Sequence, residues 1–265
     1  MDHPIPEPPE LTKTVFTALN DKAGLASGDM LVLGILAGVH VGLGGLFATI
    51  ALAGADAMPY GAGQILSGLV FSLGLALVLI AGAELFTGNT LMAGPVAAGQ
   101  LPLGRMLRAW GIVYAANFLG SVLLAVAVVL AGVHEAGEGA VGRAALDLGR
   151  TKTGKSWPTL VASGILANIL VCLAVWMAFA GQTVTQKFVG LLLPITAFVA
   201  AGLEHSVANM YLLPYAYLIQ GAVEGSPAIG ASDILGNLSA ATLGNIIGGS
   251  LVALAYGHVY AGKKD

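Results

Sequence analysis

Apolar residues along this chain gather into long, nearly unbroken runs, with the polar positions confined between them. The runs cover 30–53, 63–83, 106–133, 158–180, 188–222 and 234–260, the second continuing more weakly to 98. A helix needs roughly 20 mostly apolar residues to cross a bilayer. The pattern therefore predicts an all-α integral membrane protein with six transmembrane helices. The fifth run is too long for one uninterrupted span. Polar residues interrupt the second run at "GAELFTGNT", which starts at Gly82, and the fifth at "GLEHSVANM", which starts at Gly202. The first 29 residues are polar and proline-rich, without the basic start and cleavage site of a signal peptide. The expected organisation is a cytoplasmic segment over 1–29, a transmembrane domain over 30–260 and a cytoplasmic tail over 261–265.

The two interruptions share the pattern G-x-E-x-x-x-x-N. Two further pairs fall in the same order: "GILAG" from Gly34 with "GILAN" from Gly164, and "NFLGS" from Asn117 with "NIIGGS" from Asn245. Spans one to three thus echo spans four to six. Three is an odd number, so the two halves enter the membrane from opposite sides, which makes an inverted 3+3 repeat. Such repeats bring interrupted segments together near the midplane, and backbone that leaves helical geometry there must be buried in protein or line a cavity. Glu84 and Glu204 are read as braces, their carboxylates accepting bonds from N–H groups left free where a helix resumes. Asn89 and Asn209 are read as supporting the same turns.

Composition agrees with lipid as the solvent: 57% of the 265 residues are hydrophobic and only 9% are charged, with a mean hydropathy of +0.85. Cytoplasmic loops carry an excess of Lys and Arg. With the N-terminus inside, Lys13, Lys22, Arg105, Arg108, Lys187, Lys263 and Lys264 are cytoplasmic. The other side receives Arg143, Arg150, Lys152 and Lys155 in one long loop, and no basic residue in the loops around Asp56 and Glu224. The reading is a multi-pass protein of the cell inner membrane with both termini cytoplasmic. A net charge of −3 gives no reason to expect a nucleic-acid partner. Cys172 is the only cysteine, which excludes an intramolecular disulfide. The sequence carries no metal-ligand cluster, and neither metal nor cofactor is expected.

Four stretches together, "AELFTGNT" at 83–90, "GILANILVCLAVWM" at 164–177, "EHSVANMYLLP" at 204–214 and "TLGNIIGG" at 242–249, resemble the formate/nitrite transporter family over residues 22–260. The resemblance implies an aquaporin-like fold with a pore in each subunit of a homopentamer. It implies as substrates small monovalent anions or their conjugate acids: formate first, with nitrite, hydrosulfide, acetate or lactate as alternatives. Protons and the lipid bilayer are then the other partners, and 30–260 becomes a channel domain.

His205 is the leading site residue, because an ionisable group inside a membrane is costly and functional by default. The resemblance puts a histidine at this point in the pore centre, where it could neutralise a passing anion with a proton. Thr87 matches a pore hydroxyl. Phe71 and Leu75, four apart and so on one helix face, match one hydrophobic constriction together with Phe198. Leu85 and Phe86 match the other. Asn168 and Asn245 match polar groups near the pore, although asparagines also join helices by hydrogen bonds. Lys152 and Lys22 match an outer and an inner vestibule lysine that would concentrate anions. Two other classes of protein fit these residues less well. An aquaporin-type facilitator of water or small neutral solutes has no use for a histidine between apolar rings. An intramembrane enzyme using Glu204 and His205 lacks a nucleophile or metal, so no enzymatic activity is expected.

Overall fold

The computed structural model describes residues 5–222 and 228–261; among these the chain is helical, with no β-strand. The helices are α1 (Pro8–Gly24), α2 (Ser27–Leu52), α3 (Tyr60–Ala81), α4 (Phe86–Asn89), α5 (Ala93–Ala97) and α6 (Leu103–Leu130). They continue with α7 (Ala140–Thr153), α8 (Trp157–Ala180), α9 (Val184–Ala200), α10 (Ser206–Ile219) and α11 (Ala231–Tyr260). Five of them, α2, α3, α6, α8 and α11, are long and apolar enough to cross a membrane. The long fifth run is two helices, α9 and α10, separated by a non-helical turn. Glu224, Lys263 and Lys264, which entered the charge argument, lie outside the described residues.

Local sequence accounts for the helix ends. Proline precedes α3 and α6, begins α1 and stands second in α8, positions where a missing N–H costs nothing. Ser156 caps α8 by accepting from Thr159 N, and Thr183 with Gln186 forms a capping box on α9. At the two interruptions the chain leaves its helix through glycine in the left-handed region, Gly82 at φ 79° after α3 and Gly202 at φ 63° after α9. Any residue with a Cβ is strained there.

Packing falls into two sets, α2 with α3 and α6, and α8 with α9 and α11; α3 against α9 and α10 against α6 and α2 join them. Both sets bring backbones into direct contact. A Cβ at Gly120 of α6 would strike the Ile35 carbonyl of α2, and a Cβ at Gly248 of α11 would strike the Ile165 carbonyl of α8. In lipid, where apolar side chains gain little by leaving their solvent, such close approach is what holds helices together.

Two stretches read from sequence as polar connections are helices with apolar faces. In α1, Val15, Phe16, Leu19 and Ala23 are buried, and Phe16 fills the space a side chain at Gly94 or Gly257 would occupy. The basic loop after α6 contains α7, whose Val141, Ala145 and Leu146 are buried against the bundle. Both helices are too short and too polar to register as spans. Their three- and four-residue apolar spacing was the available signal.

Candidate functional site

The interruptions are built alike. After α3, residues 82–85 are extended or turning, and the chain resumes in the single turn of α4; after α9, residues 201–205 do the same before α10. A buried asparagine from a neighbouring long helix spans each break. Asn117 Nδ2 donates to Gly34 O at 2.8 Å and to Glu84 O at 2.9 Å, while its Oδ1 accepts from Phe86 N at 2.9 Å. Asn245 Nδ2 donates to Gly164 O at 2.9 Å and to Glu204 O at 3.0 Å, and its Oδ1 accepts from Ser206 N at 2.8 Å. Each amide stands in for the hydrogen bonds the broken helix cannot supply.

This corrects two expectations. Asn245, expected at the pore, has both ends of its amide committed to backbone. Of the free N–H groups at the resuming helices, Phe86 N goes to Asn117, Ser206 N to Asn245 and Ala208 N to His205, none of them to the glutamates. Glu84 instead receives Lys22 and, at 2.9 Å, Asn89 Nδ2. Glu204 receives Lys155 on Oε1 at 2.7 Å, and Lys152 (3.2 Å), Asn209 (2.6 Å) and Asn237 (3.3 Å) on Oε2. A carboxylate can match a lysine's charge as well as its hydrogen bond, which a neutral amide cannot. The carboxylates' hydrogen-bond partners are side chains, where backbone N–H groups were expected.

Lys22 and Lys152 were expected as vestibule lysines that attract anions. The structure ties each to a glutamate, with side-chain exposure of 28% for Lys22 and 9% for Lys152. Burial pushes the Lys152 ammonium below the ordinary lysine range; Glu204 opposes that shift, and Lys155 adds to it.

Beside the second break lies a cavity of about 70 Å³ whose lining includes Lys152, Gln64, Phe71, Phe198 and His205. Phe71 and Phe198 meet edge to face, ring centres 5.5 Å apart, and the Phe198 ring lies 5.7 Å from the imidazole. The volume holds a few water-sized groups. His205 terminates the break as the residue before α10, and its Nδ1 accepts from Ala208 N at 3.1 Å. With Nδ1 an acceptor, a neutral ring carries its hydrogen on Nε2. That nitrogen is 2.9 Å from Thr87 Oγ1, on the turn of the other break. In the aligned motifs, Leu85 occupies the position of His205, and Val207 that of Thr87. One loop thus supplies the hydroxyl and the other the imidazole.

Leu75, Leu85 and Phe86 are buried but do not line that cavity. Phe86 turns to α6, packing edge-on against Tyr114 at 4.9 Å and Trp110 at 6.1 Å. Asn168, expected near the pore, is fully buried, with Nδ2 directed at Thr87 O, Thr90 Oγ1 and Asn245 O. Sequence reading passed over Thr90, Asn237 and Lys155 as site residues. For Asn117 it had the signal, since the repeat had already paired it with Asn245.

An all-helical bundle with apolar helices, in which two broken segments meet at His205 and Thr87 beside a small cavity, is the build of a membrane transport protein. A family model for the formate/nitrite transporters matches residues 9–259. The chain is 35% identical over 247 residues to the formate channel FocA of Escherichia coli K12, covering 88% of this chain and 87% of that protein. Among solved structures it is similar to a pentameric formate channel with formate bound, with a TM-score of 0.82 and 35% identity over 89% of this chain and 98% of that one. A structure described as an FNT family ion channel aligns with a TM-score of 0.81 and 30% identity, covering 96% and 99% of the two chains. The chain belongs to the formate/nitrite transporter family.

Proposed function

We propose that this protein is a homopentameric channel or transporter that passes formate, or a similarly small weak-acid anion, through a pore in each subunit. The observation that carries the mechanism is the 2.9 Å contact between His205 Nε2 and Thr87 Oγ1 beside the Phe71–Phe198 pair. The relatives' pentameric assembly and bound formate support the assembly and the substrate. In this reading α9 and α10 together make the fifth of six spans, and residues 30–260 are an inverted 3+3 repeat of aquaporin-like form. The matched triads Lys22–Glu84–Asn89 and Lys152–Glu204–Asn209 support the repeat. Both termini are cytoplasmic, the Lys and Arg distribution supporting that orientation.

A bare anion entering an apolar ring loses hydration that the ring cannot replace. Phe71, Leu75 and Phe198 form that barrier on one side, Leu85 and Phe86 on the other. The Nε2–H of His205 and the Thr87 hydroxyl are the donors between them. A neutral imidazole offers only a hydrogen bond. To give up a proton it must first hold two, and the second belongs on Nδ1, which here accepts from Ala208 N. Loading Nδ1 with a proton therefore breaks the N-cap of α10; Nε2 hands its own proton to the anion, and the cap returns only when the remaining hydrogen leaves Nδ1 and Nε2 is reprotonated. The neutral acid then crosses the second ring without its charge.

The test is flux into proteoliposomes over formate, nitrite, hydrosulfide, acetate and lactate, with internal pH recorded alongside. Formate uptake should be accompanied by protons and rise as external pH falls. His205→Ala should keep its assembly and lose that coupling. An alanine variant with unchanged pH dependence would overturn the mechanism.

A further inference from the structure

Resting on the pore function proposed above, we propose that Thr90 is a positioning residue that aims the Thr87 hydroxyl at His205 through a buried knot of hydrogen bonds outside the permeation path. Thr87 sits on α4, one turn long, which is too short to fix its own orientation. What fixes it is its carbonyl. Thr90 Oγ1 donates to Thr87 O at 2.6 Å, Asn168 Nδ2 approaches the same oxygen at 3.2 Å, and Cys172 Sγ lies 3.5 Å from it. Thr90 Oγ1 in turn accepts from Asn168 Nδ2 at 2.9 Å, and Asn168 Nδ2 reaches Asn245 O at 2.6 Å.

Asn245 is the residue whose side chain holds Glu204 O and Ser206 N, on either side of His205. The knot therefore runs from the Thr87 turn to the helix that holds the His205 turn. It fixes the spacing of the two pore groups by a route separate from their own 2.9 Å contact. Thr90 is the hinge of that path, being both donor to Thr87 and acceptor from Asn168.

The packing around the knot points the same way. A Cβ at Gly249 of α11 would strike Thr90 Oγ1, and would come within 2.7 Å of Asn168 Nδ2 and 2.9 Å of Cys172 Sγ. Glycine leaves at this position the space the three side chains fill. Thr90, Asn168 and Asn245 are each fully buried, so no water can replace a lost partner cheaply.

The experiment compares Thr90→Val, Thr90→Ser, Thr87→Val and the Thr87→Val/Thr90→Val double variant in the full-length protein. Each is reconstituted in proteoliposomes, with formate flux and internal pH read together and the assembled particle checked by mass. Valine keeps the shape of threonine and removes only the hydroxyl. Thr90→Val should lower maximal formate flux about tenfold, the loss expected for one misdirected hydrogen bond, and shift the pH midpoint of uptake. Thr90→Ser should restore both. Because Thr90 acts through Thr87, the double variant should be no worse than Thr87→Val alone. A Thr90→Val protein with wild-type flux and pH midpoint, beside a crippled Thr87→Val, overturns the positioning role and leaves the pore reading intact. Additive losses in the double variant overturn it as well. If Thr87→Val itself transports normally, the pore reading has failed first.

Discussion

Replacing Glu204 with glutamine removes one negative charge from a site that holds four donors. Its Oε2 faces Lys152, Asn209 and Asn237, and its Oε1 faces Lys155. The glutamine carbonyl can take the place of Oε2, and its NH2 then faces only Lys155. Lys155 has 24% of its side chain exposed and a second partner in Gly202 O, so it can turn to solvent. Lys152 has no such exit, with 9% exposure and its counter-charge gone. Removing one partner of a buried pair costs about 3–5 kcal/mol, and that is the expected loss at neutral pH.

The pH dependence has a definite sign. The folded-state pKa of Lys152 already lies below the ordinary value because of burial, and Glu204 is the influence that raises it. In Glu204→Gln it falls further, so the folded protein binds fewer protons than the unfolded chain. Stability then rises with pH from the depressed folded value up to the unfolded value of about 10.4. The assay is reversible unfolding of the detergent-solubilised protein at a series of pH values, with Glu84→Gln as comparison. Lys22, the partner of Glu84, reaches solvent, so that variant should lose less. If Glu204→Gln stays within about 1 kcal/mol of wild type at neutral pH, or grows less stable as pH rises, then Glu204 is not the counter-charge that keeps Lys152 buried.

If the proposed apolar ring includes Leu75, trimming it to alanine should widen that ring and admit water, raising ion conductance while the proposed proton coupling falls; a recording with lower conductance and tight coupling would mean that the ring positions substrate. Gly248→Ala forces a Cβ onto the Ile165 carbonyl between α8 and α11, and overpacking of this kind costs about 1–3 kcal/mol; unchanged unfolding would mean the helices separate easily. Mass measurement of the solubilised particle should give about five copies, as in the pentameric relative; a stable, active monomer contradicts the proposed assembly.

Hydrophobic runs, the doubled G-x-E-x-x-x-x-N motif and the few intramembrane polar residues were enough to read an all-helical membrane protein and its interrupted segments, and to single out His205 and Thr87, which the fold brings within 2.9 Å of each other. That much was legible because lipid punishes every unpaired polar group, so the exceptions in an apolar run stand out. Partnerships were not legible. Glu204 could have bonded the N–H groups of its own resuming helix, and only the packed structure gives Ser206 N to Asn245 and Ala208 N to His205 and turns the carboxylate to Lys152 and Lys155. Asn168 and Thr90 look like helix-interior residues until α8, α11 and the α4 turn are brought together around Gly249. The surface helices α1 and α7 were hidden for a related reason, since a one-sided apolar stripe has meaning only against the surface it covers. The sequence by itself determined which residues lipid cannot tolerate unpaired. Which partner each one found was decided by tertiary structure, because a hydrogen bond or ion pair depends on distances between helices that no single run of residues encodes.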